Sequence, residues 1–218
     1  MATKKKGHVF RVSGLPGSQP DDELKLALET VINDELSDEE RSQIGITTAL
    51  MPSCYRDEER VALVEFHGQV PEFLSELIRD PLGEWQVEMG DEDISFDQHF
   101  FGFTQLYKPK PETPITAEYV KFIDGITYSR YLRANLLCPS IVAITGLDGH
   151  AYGSWRGRGN LGRMWLRDFL PRDLPSCRTM TYGYNSKLSS HGINKITDYG
   201  RELIEELKKI RNTEEVKQ

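Results

Sequence analysis

The side chains that would carry hydrolytic chemistry are present in this chain but badly spaced. An activated serine in a strand-to-helix fold sits on a tight turn reading G-x-S-x-G, and no such run occurs. Ser154 stands in Gly153-Ser154-Trp155-Arg156-Gly157, with the serine out of register for that turn. Gly157-Arg158-Gly159-Asn160-Leu161-Gly162 matches the dinucleotide pattern G-x-G-x-x-G. That pattern needs a strand directly before it and an acid at the end of the next strand, and neither is present. There is no Walker A sequence, and Arg156, Arg158 and Arg163 read as a solvated basic loop. The five histidines (His8, His67, His99, His150 and His191) show no metal-ligand spacing. Asp91-Glu92-Asp93 does not continue as a calcium loop. With Asp38-Glu39-Glu40 and Asp57-Glu58-Glu59 it reads as a solvated turn. Ser189-Ser190-His191 reads as a helix entry. The three cysteines (Cys54, Cys138 and Cys177) are odd in number and far apart. They argue against a disulfide framework or a zinc site and make a reducing compartment the default. No metal and no cofactor is expected.

The elements that would position these residues fall into two groups. The chain has 218 residues and a net charge of -7, but the charge is uneven. Residues 1–105 hold 9 Lys+Arg against 22 Asp+Glu, a balance of -13, and residues 106–218 hold 18 against 12, a balance of +6. A change of sign of that kind marks two units with different surfaces. Between them lies Lys108-Pro109-Lys110-Pro111-Glu112-Thr113-Pro114, read as a stiff linker. The N-terminal Lys4-Lys5-Lys6 has no apolar stretch behind it and is not a secretory signal. No apolar run reaches the roughly 20 residues of a membrane-spanning helix.

Before the linker the order reads β-α-β-β-α-β. Alternation through Val9–Val12 gives a strand. Asp21 or Asp22 caps a helix carrying Leu24, Leu28, Val31 and Glu35 on one face. Strands follow at Ile46–Leu50 and Val61–Phe66, then a short helix with Phe73, Leu74, Leu77 and Ile78, then strands Trp85–Met89 and Ile94–Phe103. After the linker come a helix over Ala117–Arg133 and the apolar run Ser140–Thr145, read as a strand covered on both faces. A glycine-rich loop to Gly162, a helix around Met164–Leu170 and a strand Arg178–Tyr182 follow. The chain closes with an amphipathic helix carrying Ile193, Ile196, Leu203, Leu207 and Ile210. Trp155 and Trp165 read as core anchors, and Tyr182 and Tyr184 as packing at a strand end.

Read together, Ile141-Val142-Ala143-Ile144-Thr145-Gly146-Leu147-Asp148-Gly149-His150, Ser154-Trp155, Trp165–Pro171, Asp173-Leu174-Pro175 and Thr181-Tyr182-Gly183-Tyr184-Asn185-Ser186 form a series. Over residues 138–212 it resembles the start of the serine-esterase-like α/β-hydrolase domain that opens many fungal NACHT, ankyrin and TPR signalling proteins. Serine-active-site proteins of mitochondria and the endoplasmic reticulum share that domain. Asp97-Gln98-His99-Phe100-Phe101-Gly102-Phe103-Thr104-Gln105-Leu106 resembles a segment that precedes it. The resemblance implies that Gly146, Leu147, Asp148, Gly149 and His150 are the remnant of an oxyanion loop, where backbone N–H groups face developing charge. It also implies a serine, acid and histidine downstream of the last helix, beyond Gln218. Thr145 and Asp148 depart from the family, which has His and Gly there, and a carboxylate beside an oxyanion opposes the charge it should stabilise.

The first half resembles the RNA-recognition-motif family in element order, in Val12-Ser13-Gly14-Leu15-Pro16 and in Arg60–Phe66. Its stacking aromatics are missing: Arg11, Val61 and Leu63 occupy the exposed positions. Each stacked base contributes roughly 1–3 kcal/mol, and the charge of -13 repels phosphate.

The sequence therefore leads to an α/β (α+β overall) chain. Residues 1–106 form an acidic ferredoxin-like domain, 107–136 a Pro-rich linker and helix, and 137–218 an incomplete α/β-hydrolase-like parallel-sheet segment. Its free edge is expected beside Arg178–Tyr182. The expected role is a non-catalytic signalling or interaction module with a protein partner or self-association. No nucleic acid is expected, and an ester substrate only if the catalytic part lies beyond this chain. The expected location is the cytoplasm, or by resemblance the mitochondrial or endoplasmic-reticulum membrane surface. The alternatives are a serine esterase completed elsewhere and a nucleic-acid-binding module.

Overall fold

A computed structural model describes residues 7–109, 140–157, 162–185 and 196–211. Lys4–Lys6, Lys110–Pro114, the expected helix over 117–133, Cys138, Arg158–Leu161, Ser186, Ser189-Ser190-His191 and Ile193 lie outside these residues. The described chain is mixed α+β: a five-stranded antiparallel sheet and a second, mixed sheet of three strands.

Alternation of apolar residues builds the first sheet from β1 (His8–Pro16), β2 (Gly45–Pro52), β3 (Glu59–His67), β4 (Glu84–Met89) and β5 (Glu92–Asp97), in the order β2-β3-β1-β5-β4. Phe10, Val12, Val64, Phe66, Ile94 and Phe96 point to one face. There they meet Leu24, Leu28 and Ile32 of α1 (Asp21–Glu35) and Leu77 of α3 (Ser75–Arg79). The helix stripe thus runs through Ile32 rather than Val31 and Glu35, because 3.6-residue periodicity carries Leu28 onto Ile32. Pro20 rather than Asp21 or Asp22 precedes α1, without a side-chain cap. The acidic run Asp38–Glu40 is not a turn. It opens α2 (Asp38–Gln43), where Ser37 and Glu40 form a reciprocal capping box.

The expected strand Ile94–Phe103 divides in two. β5 ends at Asp97, Phe100 takes a left-handed φ of 56°, and β6 (Gly102–Tyr107) enters the second sheet. There it pairs antiparallel with β8 (Arg178–Gly183), which pairs parallel with β7 (Ser140–Ile144). The sheet is therefore mixed rather than parallel, and β8 is its central strand rather than its edge. β7 has a neighbour on one side among the described residues, and Ile144 is 43% exposed, so the run is not covered on both faces.

One face of the second sheet turns toward the first. Val9 and Leu63 pack there with Phe100, Leu106, Ala143, Tyr152, Met164 and Leu166. The opposite face carries Phe103, Met180 and Tyr182 against Leu203, Leu207 and Ile210 of α6 (Ile196–Arg211). The expected helix around Met164–Leu170 is two short ones, α4 (Trp165–Asp168) and α5 (Leu170–Asp173). The layers run helices, first sheet, second sheet, helix. No described helix is long and apolar enough to cross a membrane.

Candidate functional site

Arg11, Asp97, His150 and Arg156 meet at the joint between the two sheets, whereas Asp91–Asp93 lie at the β4–β5 turn and Cys54 packs toward α6. Asp97 closes β5 at 2% exposure, and its carboxylate accepts Arg11 Nε at 2.7 Å and the Phe100 amide at 2.8 Å. Arg11 Nη1 also donates to the Phe101 carbonyl at 2.7 Å and to Thr104 Oγ1 at 2.9 Å. One guanidinium thus holds both ends of the crossover through charge-assisted bonds. Phe100, fully buried, stacks on Tyr152 with ring centroids 5.0 Å apart. Its carbonyl presses against Gly183, where a Cβ would stand 1.9 Å from Phe100 O. The glycine of Tyr182-Gly183-Tyr184 is therefore a packing requirement of this crossover.

The loop Gly146–His150 closes on itself at the surface. Leu147 is 49% exposed, and Asp148 takes a φ of 57°, a left-handed conformation that Asp tolerates better than most residues. Gly149 N donates to Gly146 O at 3.0 Å, and His150 N donates to Ser154 Oγ at 3.1 Å. These two amides, which the resemblance would aim at an oxyanion, bond within the loop. The His150 ring is also engaged. Nδ1 accepts from Tyr152 N at 3.1 Å and Gly153 N at 2.9 Å, which leaves the ring hydrogen on Nε2, 2.7 Å from the Gln98 carbonyl. Among the described residues no serine hydroxyl is hydrogen-bonded to an imidazole.

Arg156 closes the joint from the other side. Its side chain is 5% exposed, donates to Gly7 O at 2.6 Å and Gly162 O at 3.1 Å, and pairs through Nη2 with Glu65 in the middle of β3. Arg156 and burial together hold the His8 imidazole below its ordinary pKa, burial contributing most. Of the positions read as exposed on the first sheet, Arg11 and Leu63 are covered, while Val61 is half-buried. Leu63 is 2% exposed, and the Arg11 side chain 12%, because the second unit packs over them.

A hydroxyl–imidazole pair that the sequence did not suggest lies on the same face. Thr47 Oγ1 is 2.9 Å from His67 Nε2, and His67 Nδ1 is 3.8 Å from Glu65 Oε1. A three-residue relay of this kind can activate a nucleophile in principle. Here Glu65 Oε1 is the same oxygen that receives Arg156 and the Gly7 amide, so its charge is already matched. Thr47 sits within the β2–β3 ladder, where successive amides point to opposite sides and do not converge on one oxyanion. The cross-strand register Thr47↔Glu65 and Gly45↔His67 makes the pair, and that register is not visible in a single strand.

On the face of α6, Tyr55 OH donates to Glu206 Oε2 at 2.6 Å and accepts from Phe103 N at 2.7 Å. Gly102 makes room for it: φ is +73°, and a Cβ would meet the Tyr55 hydroxyl at 2.3 Å. Burial pushes the Tyr55 phenol well above its ordinary pKa, with Glu206 adding to the effect. Cys54 beside it is buried, which raises its thiol pKa against the opposing pull of Arg178. No group of three metal-ligating side chains occurs among the described residues. A shallow groove of about 340 Å³ is lined by Trp155, Trp165, Phe169 and Arg163 among others. Trp155 packs on the core as expected, but Trp165 is 49% exposed and is no core anchor.

No protein family, no curated protein and no solved structure matches this chain.

Proposed function

We propose that this chain is a non-catalytic interaction module. In this reading a ferredoxin-like sheet of the RNA-recognition-motif kind carries an α/β-hydrolase-like segment on the face that would otherwise stack bases. The strand order β2-β3-β1-β5, with β4 added at the edge and helices on one face only, supports the first half of that reading. The carrying observation is the state of the Gly146–His150 loop. Its Gly149 and His150 amides and both nitrogens of the His150 ring are bonded within the protein, which leaves the oxyanion remnant a structural tie. The covered face around Val9, Arg11 and Leu63 weighs against nucleic acid for the same reason. The buried free thiol of Cys54 suits a reducing compartment such as the cytoplasm.

Covalent labelling tests this. The purified chain is incubated with a fluorophosphonate and its intact mass recorded. No adduct is expected; an adduct mapped to Ser154 or Thr47 overturns the reading.

A further inference from the structure

The groove beside α4 has the chemistry of a docking site, and the chain carries a matching plug on its opposite side. The groove floor is apolar, formed by Trp155, the half-exposed Trp165 and Phe169. Arg163 lines it too. Arg163 and Arg172 stand over the ring of Phe169 at 5.6 and 5.7 Å, so a second guanidinium lies next to the groove, and neither is in an ion pair among the described residues. Two guanidinium groups sharing one ring repel each other, and a carboxylate brought between them relieves that repulsion.

The plug is Leu26. It is 67% exposed in the middle of α1, where an apolar residue gains nothing from water. One turn before it stand Asp22 and Glu23, both exposed and on the same helix surface. An apolar tip flanked by carboxylates complements an apolar floor beside two arginines. The two cannot meet within one chain: α1 packs on the far face of the first sheet from the layer that holds α4. We infer that the groove at Trp165 receives Leu26 of a second copy of this chain, in a head-to-tail contact. The inference names the partner of the interaction module proposed above and rests on that reading. Such a contact is heterologous, so each copy keeps a free plug at one end and a free groove at the other.

That asymmetry makes the test decisive. Sedimentation velocity of the full chain should show association that grows with concentration and weakens at least about tenfold between low and high salt, as rim charges are screened. Leu26→Glu and the pair Arg163→Glu with Arg172→Glu should each be monomeric alone. Both sites are at the surface, and near-UV circular dichroism would verify that the folds are unchanged. Mixed together, the Leu26→Glu chain still offers a groove and the arginine variant still offers a plug, so the mixture should form a discrete dimer. A wild-type chain that stays monomeric up to its solubility limit overturns the inference, as does association that either variant leaves intact. A mixture that stays monomeric overturns it too. None of these results depends on the labelling experiment, so the two readings fail separately.

Discussion

The His150 imidazole lies 2.7 Å from the Gln98 carbonyl, tying the loop after β7 to the crossover that leaves β5. The ring also receives the Tyr152 and Gly153 amides, so replacing it leaves three backbone groups without their partner. Because His150 is at the surface, where water can replace its bonds, His150→Ala should lower the unfolding free energy by about 0.5–1.5 kcal/mol in urea titration, without altering any catalytic property.

Gly183 separates packing from motif. Gly183→Ala drives a Cβ into the Phe100 carbonyl and toward Ala151, and backbone on both sides leaves little room to yield. A loss of about 3 kcal/mol or more is expected, the scale of severe overpacking. Gly146→Ala serves as the contrast, since nothing lies within 4 Å of the added carbon. It should change stability by less than about 0.5 kcal/mol. Thermal melts of the two variants check both values.

Breaking the Arg156–Glu65 pair should cost more than removing it. Arg156→Met leaves the Glu65 carboxylate, 16% exposed, without its counter-charge and frees the Gly7 and Gly162 carbonyls. A loss of roughly 3–5 kcal/mol is expected for one partner of a buried pair. Adding Glu65→Leu to Arg156→Met should recover part of that loss. The coupling energy from a double-mutant cycle in urea is the readout.

The clasp on α6 gives stability a pH dependence at both ends. Burial raises the Glu206 pKa, but hydrogen bonds from Lys209 and Tyr55 outweigh it and hold the carboxyl below its ordinary range. A depressed carboxylate contributes stability above its unfolded value, about 4.3, and that contribution is lost as pH falls below it. The Tyr55 pKa is raised, so its contribution is present below about 10 and is lost as pH rises beyond it. Tyr182, raised by burial, adds to the alkaline limb. Urea midpoints measured across pH should therefore fall at both extremes. Glu206→Gln should flatten the acid limb, and Tyr55→Phe should reduce the alkaline one.

Local pattern carried much of this architecture. Period-two alternation located β1 and apolar strand-like runs located β3 and β4, although β1 and β3 prove to be buried on both faces and β1 runs on through Gly14 to Pro16. Where a segment changes partners, pattern fails. Ile94–Phe103 is continuously strand-like, and the break at Phe100 follows from a left-handed residue held by Tyr152 and Gly183, both distant in sequence. The capping box Ser37-Asp38-Glu39-Glu40 was readable as Ser-x-x-Glu, but its charge density suggested a turn. Arg11 was legible as an unsuitable stacking residue. Its real task, clamping Asp97 and Phe101, depends on the second sheet lying over the first, and no local periodicity records that. The motif residues Gly149, His150 and Gly183 were found by resemblance, and their geometry here is that of a joint.

Hydrolysis of a short-chain p-nitrophenyl ester by the purified wild-type chain, compared with Ser154→Ala and Thr47→Ala, is the most direct test of that account. It predicts that all three give the same rate, no faster than an unrelated protein of equal concentration. Saturable turnover by the wild type that either substitution removes would contradict it.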